Sequence, residues 1–243
     1  YLQDAKAVRE KGGDQTWHCP SRGECARCHN ASAGYGLGPK TAQFTRPFFY
    51  ESSGLTANML STVQGLGLFK SPLMPASLPQ MPTLHEGTAF AEDRARAYLD
   101  ANCASCHRPD GAARGNWDGR FSTPLDMQGL IGTDPVEAQG IANAKVLAPQ
   151  SADSSVLFKR LSSLDGLAMP PLAKSIVDDG AVSIFSAWIA AMNAKGREAA
   201  PVATPNLGLS SKSNAELAVP LAGTDADGVV DTSAAKAGST VRK

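Results

Sequence analysis

The chain has 243 residues, enough for one or two domains that bury a core without crosslinks. Apolar residues make up 42% and charged ones 19%, and 23 Lys plus Arg balance 23 Asp plus Glu, which argues against general disorder and against a strongly basic nucleic-acid-binding surface. No stretch approaches the ~20 apolar residues of a membrane span, since the patch around Val182 to Met192 is broken by Ser183 and Ser186. The sequence starts at Tyr1 without an initiator Met or an apolar leader, as expected of a processed chain or a piece of a longer one.

In chain order, Ser21-x-x-Glu24 reads as a capping box that opens a helix running into Cys25-Ala26-Arg27-Cys28-His29. A loop from Asn30 to Lys40 follows, with Gly34, Gly36, Gly38 and Pro39. Leu55, Met59, Leu60, Val63 and Leu66 recur at helical spacing and predict a helix over 55–69, weakened at its end by Gly65 and Gly67. Prolines at 72, 75, 79 and 82 forbid helix and predict an extended strap carrying Met74 and Met81. A helix over 88–102, with Ala91, Ala95, Tyr98 and Leu99 on one face, leads into Cys103-Ala104-Ser105-Cys106-His107.

Beyond it come a Gly-rich loop over 111–119, a polar irregular region to Gln150 and a short helix near 154–164. Met169-Pro170-Pro171 interrupts the pattern. Asp178 or Asp179 then caps a last helix whose Val182, Phe185, Trp188, Ile189 and Met192 form a buried stripe. Residues 197–243 hold no aromatic, Met, Cys or His and have the composition of a linker or tail. The order of features repeats: helix with Cys pair, loop, helix, Met-Pro segment, helix. Met81-Pro82-Thr83-Leu84 aligns with Met169-Pro170-Pro171-Leu172.

Four of the five cysteines fall in two C-x-x-C-H pentads, the pattern of covalent haem attachment. One such pentad arises by chance in roughly two of a thousand shuffled chains of this composition, and two in on the order of one per million. In a helical turn, thiols three residues apart reach the two vinyl groups on one porphyrin edge, while the adjacent imidazole turns beneath the ring toward iron. Cys25, Cys28, Cys103 and Cys106 are thus the expected attachment residues of two haems c, and His29 and His107 the proximal iron ligands. Zinc, a thioredoxin-like pair or structural disulfides compete, but none of them needs His after the second Cys twice. Such attachment implies a periplasmic or otherwise exported location. Cys19 is left over, as a buried thiol or an intermolecular disulfide partner.

A Met thioether on the far side of iron raises the reduction potential and closes the metal, whereas an open position leads toward peroxide chemistry. Met169, stiffened by its prolines and 62 residues after His107, is the expected distal ligand of the second haem. Met81, 52 residues after His29, is the analogous choice for the first, with Met74, His85, His18 and Met59 as alternatives. Each proximal imidazole should donate its second N–H to a backbone carbonyl, that of Pro39 for His29 and of Pro109 or Pro124 for His107. Trp17, Arg46, Trp117 and Arg120 are candidates to pack on porphyrin or pair with propionates, with ordinary packing as the alternative.

Each half resembles a class I cytochrome c domain, with the pentad on its first helix, the Gly38-Pro39 turn, and Met169-Pro170-Pro171 before the last helix. More narrowly, Trp17-x-x-Pro20-Ser21-Arg22-x-Glu24-Cys25, the run Arg94 to Cys103 and Trp117-Asp118-x-Arg120-Phe121 are similar to a two-haem domain of exported bacterial proteins. In some of those it follows a pyrroloquinoline-quinone sugar dehydrogenase-like domain. The resemblance implies a mostly α chain of two tandem cytochrome c-like domains, over 1–87 and 88–196, with a linker or extended tail over 197–243. It implies an electron-transfer module rather than an enzyme in its own right. Its partners would be a redox donor and acceptor, a PQQ-dependent dehydrogenase domain among them, with no nucleic acid and no membrane span. A two-haem peroxidase and an assembly joined through the tail are the rival readings.

Overall fold

The computed structural model describes residues 6–10, 13–193, 196 and 197, with side chains from His18 onward. The expected tail lies outside the described residues except for Arg197, and so does the side chain of Trp17. Helices are the main regular elements: α1 (Arg22–Cys28), α2 (Thr41–Phe44), α3 (Met59–Gly65), α4 (Ala91–Asn102), α5 (Val156–Ser162) and α6 (Asp179–Ala191). Two antiparallel hairpins accompany them, β1 (Lys6–Glu10) with β2 (Gly13–Trp17), and β3 (Pro47–Tyr50) with β4 (Leu55–Asn58).

The capping box forms as expected. Ser21 Oγ accepts from the Glu24 amide, and the Glu24 carboxylate accepts from the Ser21 amide at 2.8 Å. The helix expected over 55–69 is shorter. Phe48, Phe49 and Tyr50 are strong strand formers and pair with Ala57, Thr56 and Leu55, so the helix begins only after Asn58, whose side chain caps it. The Ser-Ser-Gly turn between them, with Gly54 at φ +67°, is the signal that periodicity alone passes over. The Pro-rich strap contains one 3-10 turn at Pro75–Ser77, with Pro at its first position.

The main core lies between α4 and α6. Ala91, Ala95 and Leu99 of α4 meet Ala181, Ile184, Phe185, Trp188 and Ile189 of α6, each at most 2% exposed. The small Ala91 and Ala95 let the helices approach closely, and Tyr98 meets Phe185 edge to face at 6.0 Å. Asp178 caps α6 through the Ala181 amide. The region over 120–150 is irregular but not polar throughout, because Leu125, Leu130, Val146 and Leu147 complete this core. Burying an aromatic of this kind contributes about 3 kcal/mol. Trp188 also donates its indole N–H to Gly196 O at 3.0 Å, and Arg197 reaches back to Glu92 at 2.7 Å, so the chain is tied down just after α6.

The first half buries far less. Among the described residues, Ala42, Leu60 and Met81 are its buried apolar residues, while nine of the fourteen exposed large apolar side chains fall between Tyr35 and Met74.

Candidate functional site

α1 carries Cys25 and Cys28 in its last turn and ends on His29, whose amide donates to Cys25 O at 2.9 Å. The second pentad follows the same rule at the end of α4: the Cys103 amide donates to Leu99 O and the His107 amide to Cys103 O, at 2.8 and 2.9 Å. Both pentads are therefore helical turns, and all five cysteines are free thiols.

The His29 ring is exposed, and its Nδ1 pairs with Tyr35 O at 2.7 Å. The expected acceptor was Pro39. The loop turns back sooner because Gly34 and Tyr35 both take left-handed backbone, at φ +75° and +60°, and the Tyr35 amide closes onto Asn30 O. Nδ1 held by a carbonyl leaves Nε2 as the free lone pair, the tautomer that a metal-ligating imidazole needs.

His107 is more enclosed. Trp117 stacks on its ring at 3.9 Å with the planes 17° apart, and the Gly119 amide donates to its carbonyl at 2.8 Å. Burial first, and the charge of Arg160 second, push its pKa down to about 4, so the imidazole is neutral. Its Nδ1 is buried with no hydrogen-bond partner, and neither Pro109 nor Pro124 supplies the expected carbonyl. The stack on Trp117 sets the ring's orientation instead, while the Gly119 amide holds the His107 backbone.

The segment that carries the stack is itself pinned. Asp118 accepts from Arg120 Nε and Nη2 at 2.9 and 2.5 Å, from the Arg120 amide at 3.0 Å and from Thr123 Oγ1 at 2.7 Å. Arg120, a candidate for a propionate, thus has a carboxylate partner in the protein. On α4, Arg96 donates to Gln128, Phe121 O and Thr123 O, while Asp100 accepts from the Phe121 amide and pairs with Lys40. Arg46 donates to Gln43 O and borders a cavity of about 410 Å³ with Asn58, Ser61 and Leu78.

The methionines separate clearly. Met169 is half-buried, and its amide donates to Arg160 O at 3.1 Å. Arg160 is close enough to lower the His107 pKa, and Lys174, which donates to Met169 O at 3.3 Å, acts on the charge of Cys103. The Met169 segment therefore lies beside the second pentad. Met81 is buried, packed with Ala42, Ala97 and Phe121, and its amide donates to Ala42 O at 3.0 Å. Met74 is 74% exposed, and Met192 is fully buried core. Met59 opens α3 and is half-buried. Of the leftover imidazoles, His85 is exposed and His18 pairs with Glu24 at 3.1 Å.

The sequence gives no hint that the pentads meet. Cys106 Sγ lies 3.6 Å from Cys28 Sγ and 3.3 Å from Arg27 O. Arg108 braces the contact, donating to Ala104 O at 2.5 Å and across to Ser32 O at 2.7 Å. Among the described residues no three His, Cys, Asp or Glu side chains gather as a metal-binding group. A porphyrin brings four nitrogens of its own and asks the protein for one or two axial ligands, so the residues at each pentad fit a haem better than a bare ion.

No family model matches the chain. Neither the curated proteins nor the solved structures yield a match.

Proposed function

We propose that this chain is a tandem two-haem c-type cytochrome that passes single electrons between redox proteins in the periplasm or an equivalent exported compartment. One reading of the site carries this: the second pentad ends a helix, holds a neutral imidazole against Trp117, and has the Met169 segment beside it. Cys25 and Cys28 would hold the first haem, Cys103 and Cys106 the second. His29 and His107 would be proximal ligands, with Met81 and Met169 on the distal side. When bound, the haems supply reversible ferrous–ferric chemistry.

The protein's own part is to hold ligands still. Tyr35 O fixes the His29 tautomer, Trp117 fixes the His107 ring, and Gly119 holds the His107 backbone. Arg160 O accepts from the Met169 amide, and burial first, with the Arg160 charge second, keeps His107 neutral. The exposed apolar side chains of the first half are the kind of surface that covering a porphyrin would require. Donor and acceptor would be redox proteins, a PQQ-dependent dehydrogenase domain among them.

The test is expression of the full chain in a host competent for haem attachment, followed by mass spectrometry of denatured protein. Two covalent haems per chain are expected, and a bare chain would end this reading. In the ferric spectrum of the loaded protein, Met169→Ala should remove the methionine signature from one of two irons and lower its potential. Unchanged signals would remove Met169 as a ligand.

A further inference from the structure

We propose that Cys28 and Cys106 form a redox-switchable crosslink between the two pentads, closed by exchange with a disulfide donor and opened by a dithiol reductant. The two sulfurs lie 3.6 Å apart, in van der Waals contact, although 78 residues separate them in sequence. To form a bond of about 2.05 Å the two sulfurs have to close from that contact distance. Arg108 braces the contact by donating across to Ser32 O, and the Lys40–Asp100 ion pair is a second link between the two halves.

The within-pentad alternatives are worse placed. Cys25 and Cys28 are one helical turn apart on α1, where β-carbons sit about 5–6 Å from each other, against the roughly 3.5–4.5 Å that a disulfide spans. Closing that pair means drawing those β-carbons together by about 1–2 Å. Cys25 Sγ lies instead toward Pro20 O, at 3.9 Å. Burial pushes the Cys103 thiol up to about 12 and, with Cys106 beside it, pushes the Cys28 thiol up as well, so it is the sulfur–sulfur contact and not thiol acidity that selects the Cys28–Cys106 pair.

The chemistry balances with one disulfide donor. The Cys28 thiolate attacks the donor's disulfide and releases one donor thiol, leaving a mixed disulfide. The Cys106 thiolate then displaces the second donor thiol as the Cys28–Cys106 bond forms. One disulfide breaks and one forms. Two electrons and two protons leave the protein pair with the two donor thiols.

Because each pentad contributes its second thiol, a single crosslink would withdraw an attachment sulfur from both haem sites at once. That consequence rests on the haem reading; the crosslink does not.

The experiment uses the full chain produced without haem-attachment machinery, treated with oxidised glutathione, alkylated, digested and examined by mass spectrometry. The expected product is a peptide pair joined through Cys28 and Cys106, with free thiols falling from five to three. Cys28→Ser and Cys106→Ser should each abolish it, Cys19→Ser should leave it intact, and circular dichroism melts show whether each variant folds. Crosslinks confined within the pentads, or none in a folded chain, overturn the proposal. Oxidised chain should take up haem about tenfold less than reduced chain, with dithiothreitol restoring uptake. A crosslink in a chain that never accepts haem would sink the haem reading alone, and a chain that attaches two haems in a competent host yet forms no crosslink when folded without haem would sink this one alone.

Discussion

Replacing Asp118 by Asn tests whether a carboxylate remote from the pentad in sequence holds the second one together. The carboxylate collects two guanidinium donors, one amide and one hydroxyl, at 2.5 to 3.0 Å. Hydrogen bonds to a charged group are worth about 1.5–3 kcal/mol each, but Arg120 is 38% exposed, so solvent screens much of its share. Asn also keeps one acceptor oxygen. The net loss is therefore about 2 kcal/mol, which for a chain of this size lowers the melting temperature by about 4–8 °C. Because Asp118 adjoins Trp117, the same change should loosen the stack on His107, and on the proposed two-haem reading it should broaden the second haem's spectrum while leaving the first unchanged.

The pH dependence gives an independent check. Burial alone would raise the Asp118 pKa, but the bonds from Arg120 and Thr123 outweigh it and hold the carboxyl below its ordinary 3.8. A group with a depressed folded pKa contributes stability above its unfolded pKa, and that contribution is lost as pH falls through the folded value. The stability gap between wild type and Asp118→Asn should be constant from about pH 6 to 8 and shrink once pH drops below about 4. Urea unfolding across that range measures it. A gap under about 0.3 kcal/mol at pH 7, or one as large at pH 3 as at pH 7, refutes the reasoning.

Two further substitutions probe the core. Trp188→Phe removes the donor to Gly196 O and leaves a gap where the indole was; it should cost about 2–3 kcal/mol, read as a lower urea midpoint at unchanged slope. Gly196→Ala meets two obstacles, φ +79° and a β-carbon that would stand 2.5 Å from Ile131 Cγ1, so a loss of about 1–3 kcal/mol is expected. A melting temperature within 1 °C of wild type, measured by calorimetry, would contradict the close approach at Gly196.

The parts of the fold legible in the sequence are those set by local chemistry. The Ser21–Glu24 box, the Asp178 cap and the α6 stripe depend on residues within a few turns of each other, and each is found where its pattern predicts. Strand pairing at 47–58 was not legible from a 3.6-residue rhythm, because Leu55 and Met59 satisfy that rhythm while their neighbours pair across a turn. The buried Leu125, Leu130 and Leu147 were hidden for a related reason. They come from a stretch with no period, where burial is decided by tertiary folding.

The site shows the same division. The pentads are local patterns of five consecutive residues, and the helical turns expected of them are found. Their supports are not local: Tyr35 reaches His29 through two left-handed residues, and Trp117 reaches His107 from ten positions on. No spacing rule announces a contact between Cys28 and Cys106, which follows from the packing of two halves. Lys40, Asp100, Arg108 and Ser32 create that packing, and their roles are ordinary polar contacts until the fold brings them together.

The two halves also differ in what holds them, and on the proposed reading covalent haem loading should show it. In the second half Leu99, Leu125, Leu130, Phe185 and Trp188 cover one another, so its local opening costs much of the global stability. In the first half Leu66 and Leu68 are 69% and 68% exposed and Phe69 is 37% exposed; such surface contributes little until something apolar covers it. If the first haem covers even part of these three, each contributes about 1 kcal/mol, and about 3 kcal/mol in all lowers the locally open population on the order of a hundredfold. Chymotrypsin cuts after Leu and Phe, and under fast reclosing its rate follows that population. Cleavage at 66–69 should therefore slow about a hundredfold in loaded protein, while cleavage within α6 changes far less. Equal rates at 66–69 with and without covalent haem would mean that these side chains face something other than a porphyrin.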